Sequence, residues 1–301
     1  MEDWSFVAVR WGIYSSLGLF FGIAGFNLYS SPARQVRNAK RLLVVMALFA
    51  LAFSMAGFAL MVAGMAGTTV SDIDRELARS ILRDTSVGQA FLVRMAALGL
   101  ATVVVVATEC TSSAAKLATT GLTGAALGSL AWNGHGAASE GWMAWPHLIA
   151  DVVHLLTAGA WLGAIACLLA LVTRQWITHA DLSAARKSLV EFAPVGTWLV
   201  ALLVLTGAVN TGALLVAADP EEPEQSRWLL LLAAKLVVFA MMLGLAALHR
   251  FRLAPGLEAA VESGQIRAAR RKLRMSLSLE LFGGLAILAV VAWLGLLEPG
   301  W

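Results

Sequence analysis

The sequence predicts an all-α polytopic membrane protein, a bundle of eight transmembrane helices with both termini on the outer side. Three features support this fold class: the composition, the long apolar runs and the distribution of basic residues among the loops. Of the 301 residues, 59% are hydrophobic and 14% are charged, and the mean hydropathy is +0.77. A soluble domain is about half apolar and about a quarter charged. The composition therefore excludes the ordinary soluble classes.

Eight apolar runs are each long enough to cross a hydrocarbon core, which takes about 20 helical residues. The runs are continuous rather than alternating, which excludes a β-barrel, and a lipid-embedded backbone must satisfy its own hydrogen bonds, which favours helices. We therefore expect one transmembrane domain over residues 1–301, with at most an interfacial helix in the 250–276 loop and no fused soluble domain. The runs cover residues 6–28, 42–67, 89–107, 114–132, 147–172, 194–217, 228–249 and 277–297.

The basic residues set the orientation. Loops on one side hold fifteen Lys and Arg residues and loops on the other side hold five, and the richer side faces the cytoplasm. The high pI of 9.1 is thus a topology signal and gives no indication of a nucleic-acid partner. The first run follows an acidic start rather than a basic region and has no A-x-A site, so we expect a retained helix and not a signal peptide.

Polar residues inside the runs are the candidate functional residues, because an ionisable group at that depth is costly unless it is paired or hydrated. Placed by helix direction, most of them fall in the outer half of the membrane. The inner half offers little beyond Asn27, His249 and Glu280.

The fifth run carries the strongest candidate metal site. In WPHLIADVVHLLTAGAWLGAI, the residues His147, Asp151 and His154 stand at i, i+4 and i+7, on one stripe of a helix. Imidazole with carboxylate suits a first-row transition metal. A thioether together with imidazoles favours copper, and the preceding outer loop adds His135 and Met143.

Residues of other runs are predicted to complete this site. Met61 and Met65, at i and i+4 of the second run, are candidate ligands, although a methionine stripe is also ordinary packing. Arg94 and Lys235 are expected to hold the carboxylate of the fifth run, or alternatively to snorkel to the headgroups. The supporting polar layer further includes Asn210 and Trp161.

Four segments of the chain resemble the CopD-type copper homeostasis membrane proteins, the PcoD group included. They are GQAFLVRMAALGL with Arg94, HLLTAGAWLGAI with His154, the stretch from Phe192 to Asn210, and LLLLAAKLVVFAMMLGLAALHRFRLAP with Lys235. The segments occur in the expected order and spacing, and the eight-run layout extends the resemblance over the whole chain. One position departs from the pattern, since His249 stands where the family leads us to expect Asn.

The resemblance implies copper homeostasis and resistance in the bacterial inner membrane, where the outer side is the periplasmic side. Copper, as Cu(I) or Cu(II), would be imported from the periplasm and handed over by a periplasmic CopC-type carrier. The acidic stretch from Asp219 to Glu224 would form part of the docking surface. No nucleotide-binding loop or catalytic constellation is evident in the sequence, so we expect no enzyme activity.

Two alternatives stay open from the residues. The first is a b-type haem redox protein, but His147 and His154 share one helix face, so a second axial ligand would have to be Met61, Met65 or a residue of another chain. The second is a copper-sensing or structural membrane protein that transports nothing and whose polar layer only locks the helices together.

Overall fold

The computed structural model describes residues 4–30, 36–108, 112–133, 144–173, 179–217, 223–253, 256 and 266–296, and the described part is helical with no strand. Turns of 3-10 type cover Val70–Asp72 and Ser129–Asn133, and a π-helical turn covers His249–Leu253. The nine α-helices of these residues are α1 Trp4–Tyr29, α2 Val36–Ala66, α3 Arg75–Asp84, α4 Ser86–Ala107, α5 Ser113–Gly128, α6 Ala144–Thr173, α7 His179–Ala217, α8 Pro223–Leu248 and α9 Ile266–Leu294.

Seven of the eight predicted runs form helices that are long and apolar enough to cross a membrane: α1, α2, α4, α6, α7, α8 and α9. The chain is therefore a multi-pass membrane protein. The fourth run forms the 16-residue α5 followed by the 3-10 turn Ser129–Asn133. It is shorter than the other seven because the regular α-helix ends at Gly128.

Several element boundaries differ from the sequence-based prediction. Helix α9 begins at Ile266 rather than near residue 277, because the basic segment 267–274 continues into the apolar run as one helix. Helix α7 begins at His179 and contains Pro194 within its length. The outer loop after α2 contains the short helix α3, whose first turn is capped by the Asp74 side chain accepting from the Glu76 amide.

The centre of the bundle is the contact between α1 and α6. Glycines at 18 and 22 of α1 face glycines at 159 and 163 of α6, and a Cβ at Gly22 or Gly163 would overlap the backbone of the opposite helix. The small residues on both helices therefore let α1 and α6 approach closely. Around this pair, α2, α5 and α9 pack on α1.

The remaining helices leave space on the far side of α6. Helix α7 packs on α6 and α8 packs on α9. Two cavities, of about 480 and 540 Å³, lie among α6, α7, α8 and α9, and Tyr14 and Gly18 of α1 also line the first of them. We call them the outer cavity and the inner cavity, in the orientation that the charge distribution predicts. Trp161 and Ile165 of α6 line both.

Candidate metal site at the outer cavity

Helix α6 presents the predicted metal-binding stripe. Because α6 runs without interruption from Ala144 to Thr173, His147, Asp151 and His154 lie along one face of it, with about 10 Å of rise between the two histidines. His147 is buried, at 4% exposure, and Asp151 and His154 are half-buried. The three residues therefore share one face of a continuous helix, and metal binding by them stays a prediction.

His154 is held by a hydroxyl of α7. Its Nδ1 lies 2.9 Å from Thr206 Oγ1, and that hydroxyl donates its one hydrogen to the Leu202 carbonyl at 2.6 Å. Thr206 Oγ1 must therefore act as the acceptor, and His154 Nδ1–H as the donor. The neutral imidazole then carries its lone pair on Nε2, the form in which histidine binds a metal.

The outer cavity brings His154 together with a cation from α8. Its lining includes His154, Trp161, Gly207 and Lys235, and most of the remaining wall is apolar. Lys235 interacts electrostatically with Asp151 and with His154. The structure thus brings Lys235 of α8 and Asp151 of α6 into electrostatic contact.

Asp151 receives a second partner from α7. Asn210 Nδ2 donates to Asp151 Oδ1 at 3.3 Å, and Asn210 lies one helical turn beyond Thr206. One face of α7 therefore holds both an imidazole and a carboxylate of α6. This pairing supports the predicted place of Asn210 in the polar layer.

Arg94 and Met61 lie at another cavity, of about 190 Å³, among α1, α2 and α4. The buried guanidinium of Arg94 donates from Nε to Ser129 Oγ at 3.0 Å, in the turn that follows α5. Tyr14 of α1 lines both this cavity and the outer cavity. Met61 and Arg94 thus line one cavity, and that cavity shares Tyr14 with the outer cavity that His154 lines.

The other predicted ligands divide into exposed and undescribed residues. Met65 is 65% exposed, on the surface of α2, and His135 and Met143 lie outside the described residues. Within a single chain, the haem alternative needed Met61 or Met65 opposite His154, and neither lines the outer cavity. Across the described ranges, no three His, Cys, Asp or Glu side chains come together as a metal site.

His249 and Glu280, the polar residues expected in the inner half, meet in a cluster that the sequence did not predict. Glu280 of α9 is 2% exposed, and its Oε1 accepts a hydrogen bond from Trp161 Nε1 at 2.9 Å. Its Oε2 lies 2.9 Å from His249 Nδ1, in the π-helical turn. The available signal was a single carboxylate within the apolar run of α9. Trp161 was predicted as a member of the outer polar layer. It lines the outer cavity, but its indole N–H donates to Glu280 of the inner cluster.

Comparisons with known proteins place the chain among copper resistance proteins. The family described as copper resistance protein D-like, N-terminal domain, matches residues 1–145, and the family described as copper resistance protein D matches residues 186–294. Copper resistance protein D of Pseudomonas syringae pv. tomato is 36% identical over 305 residues, which cover 99% of this chain and 98% of that protein. Inner membrane protein YebZ of Escherichia coli K12 is 26% identical over 305 residues, which cover 99% and 100%. No solved structure matches the chain.

Proposed function

The chain belongs to the copper resistance protein D family, and from this premise we propose that it carries copper across the bacterial inner membrane, inward from the periplasm. The observation that carries the proposal is the tautomer of His154. Thr206 Oγ1 accepts a hydrogen bond from His154 Nδ1–H, so the imidazole offers its Nε2 lone pair at a cavity within the membrane. A histidine fixed in this way is a typical metal ligand with an oriented outer partner.

The neighbouring charges suit a site that is alternately empty and filled. When it is empty, Lys235 balances Asp151, which lowers the cost of a carboxylate at membrane depth. An arriving copper ion replaces that balancing charge, with His154 Nε2 as one ligand and Asp151 as ligand or orienting group. His147 lies one to two turns further out and is proposed as an earlier contact.

The entry side is proposed at the predicted periplasmic face. His135 and Met143 would collect copper there from a CopC-type carrier, which would dock near the acidic stretch 219–224. Met61 would offer a thioether contact beside Arg94, in a cavity that shares Tyr14 with the outer cavity. The protein is proposed to act without catalysing a reaction and without a resident cofactor, with copper as its cargo.

The membrane potential gives the direction. A cation drawn toward the negative interior gains about 2.3 kcal/mol per charge for every 100 mV. The sequence has no recognisable phosphate-binding loop that would power movement against this field. Import is therefore the direction that an unpowered carrier would take.

We propose that α5 and its 3-10 turn make the eighth crossing. Together they extend from Ser113 to Asn133, a helical length of about 34 Å at 1.5 Å per α-helical and 2.0 Å per 3-10 residue. That exceeds a hydrocarbon core of about 30 Å. Eight crossings place both termini in the periplasm, and labelling of single cysteines added at each end with an impermeant maleimide tests this.

The direct test of the proposed site is copper binding by the purified protein and by H154A. We expect wild type to bind copper and H154A to lose at least one equivalent, measured by atomic absorption after removal of free metal. H179A is a matched control because His179 lies at the beginning of α7, beyond the predicted cytoplasmic end of the apolar run. Equal copper content in wild type and H154A would contradict the site.

Transport needs its own measurement. Proteoliposomes with an interior-negative potential should take up copper faster with wild type than with H154A. A wild-type protein that binds copper with the expected stoichiometry but moves none would contradict transport and favour the sensing alternative. A Soret band in the purified protein would instead support the haem alternative.

A further inference from the structure

The inner cluster joins three elements through one carboxylate. Glu280 of α9 accepts from the Trp161 indole of α6 and faces the His249 imidazole that follows α8. Trp161 lines both cavities, whereas Glu280 and His249 line the inner one. The carboxylate is therefore hydrogen-bonded to a side chain that lines both cavities.

The hydrogen bonding of this cluster is incomplete. Within the described part of the chain, Glu280 Oε2 and His249 Nε2 are buried atoms without a hydrogen-bond partner. Oε2 is within ion-pair distance of Nδ1, but the geometry is not that of a hydrogen bond. A buried carboxylate with one unbonded oxygen is costly when charged, and adding a proton to it or to the adjacent imidazole changes that cost directly.

The surroundings favour a proton over a metal ion. The cluster offers two candidate ligands, and no third His, Cys, Asp or Glu side chain joins them in the described residues. Guanidinium groups of Arg186 and Arg250 line the same cavity and repel a metal cation. Glu280 Oε2 and His249 Nδ1 also lie 2.9 Å apart, a spacing at which a small reorientation of either side chain lets one proton form a hydrogen bond between them.

Other titratable and charged groups lie on the helices that pack around the cluster. Arg250 donates to Thr197 of α7, and Lys187 pairs with Glu191 on the surface of α7. Tyr29 of α1 and Cys167 of α6 belong to the apolar core that packs against α9. Among the described residues, Arg250 after α8 and Arg186 of α7 are the charged groups that line the inner cavity beside the cluster.

We propose that Glu280 and His249 form a proton-binding site, and that its occupancy controls the passage of copper through the inner cavity. The second half of this inference rests on the proposed function. With Glu280 ionised, a copper ion leaving the outer cavity meets one negative charge among the cationic groups of the inner cavity. With Glu280 protonated, it meets only positive charge, and the indole of Trp161 has lost its charged acceptor.

The transport test compares wild type with E280Q in copper-loaded assays at equal pH on both sides. Wild-type uptake is expected to fall at least about tenfold as the pH is lowered and the carboxyl takes up its proton, a change that corresponds to about 1.4 kcal/mol in a rate barrier. E280Q mimics the protonated acid, so its uptake should be low and independent of pH, while its copper content should equal that of wild type because the outer site is intact. E280D should regain the pH dependence.

A measurement without copper separates this inference from the proposed function. Infrared difference spectra of the purified protein should show the C=O stretch of a protonated carboxylic acid that titrates with pH in wild type and is absent in E280Q. If wild type moves no copper but shows this band, the proton site stands and the transport proposal fails. If copper uptake is pH-dependent in E280Q as in wild type, or the band persists in E280Q, the inference is overturned.

A second variant covers the case in which E280Q does not fold. H249N keeps a nitrogen donor at the place of Nδ1 and removes the second titratable group. We expect the midpoint of the infrared titration to differ from that of wild type, because the imidazole lies 2.9 Å from the carboxylate. A midpoint that is unchanged in H249N would show that the imidazole has no part in the site.

Discussion

The outer and inner cavities are similar in size and share a wall, yet they hold their polar groups in different ways. In the outer cavity, the neutral Thr206 hydroxyl orients His154 and leaves a nitrogen lone pair available. In the inner cavity, Glu280 faces an indole N–H and an imidazole. Because the volumes of about 480 and 540 Å³ are close, the type of donor group and not the space distinguishes the proposed metal site from the proposed proton site.

Both cavities depend on α6 being held against α1, so the largest effect is expected from that contact. In G163L the new side chain would overlap the backbone of α1 at Gly22, which cannot move aside as a flexible side chain can. We expect a loss of more than about 3 kcal/mol in the free energy of unfolding, measured by denaturant titration in detergent. G99L is the control, because a Cβ at Gly99 of α4 meets no atom within 4 Å; equal losses would contradict the packing argument.

The inner cavity is tested by W161F, which keeps a ring and removes the N–H that Glu280 accepts. The free energy of unfolding should fall by about 1.5–3 kcal/mol where the carboxylate is charged and by less where it is protonated, since hydrogen bonds to charged groups are stronger. Chemical denaturation at two pH values measures the difference. W198F should change stability by about 0.5 kcal/mol or less, because Trp198 is 73% exposed. A W161F effect that does not vary with pH would count against the charged acceptor.

The outer cavity is tested by T206V, which keeps the shape of the side chain and removes the acceptor of His154 Nδ1–H. Removal of such an outer partner typically weakens metal binding about 10- to 100-fold. Competition with a copper chelator of known affinity measures the change, and T206S should restore binding because it retains the hydroxyl. Wild-type affinity in T206V would show that the imidazole does not depend on Thr206.

The smallest effect is expected from N210A. The bond from Asn210 to Asp151 is long, at 3.3 Å, and one such bond contributes about 0.5–1.5 kcal/mol, or about a twofold to tenfold change in copper affinity. N210D would place a second carboxylate beside Asp151 and alter the affinity more than N210A. If N210A weakened binding as strongly as T206V, the ranking of the two α7 contacts would be wrong.

Sequence patterns predicted the parts of the site that lie on single helices. The spacing of His147, Asp151 and His154 placed them on one face of α6, because helical periodicity is a local property. The position of each residue along its run also predicted that Lys235 lies near Asp151, since both helices were expected to enter the membrane from the same side. The partner of His154 was beyond reach, because it depends on the axial register between α6 and α7, which many apolar contacts set jointly.

The inner cluster shows the same limit more strongly. Trp161 and Glu280 are 119 positions apart in the chain, and Trp161 was expected in the outer layer because it continues the His154 stripe. Its indole bonds inward because α9 packs on α6 with Glu280 at that level. Met61 was likewise placed near His154 by depth, while the packing of α2 on α1 directs it to a separate cavity.

The sequence by itself determined a helical membrane protein, the approximate position of its apolar runs and the residues that would be costly inside lipid. Those conclusions depend on hydrophobic length and on helical period, which each segment carries independently. Tertiary structure alone decided which costly residues meet, because the glycine contact between α1 and α6 and the spread of α7 from α8 fix the relative positions of the helices. That packing produces one polar cluster at the outer cavity and another at the inner cavity, with Trp161 in the wall of both.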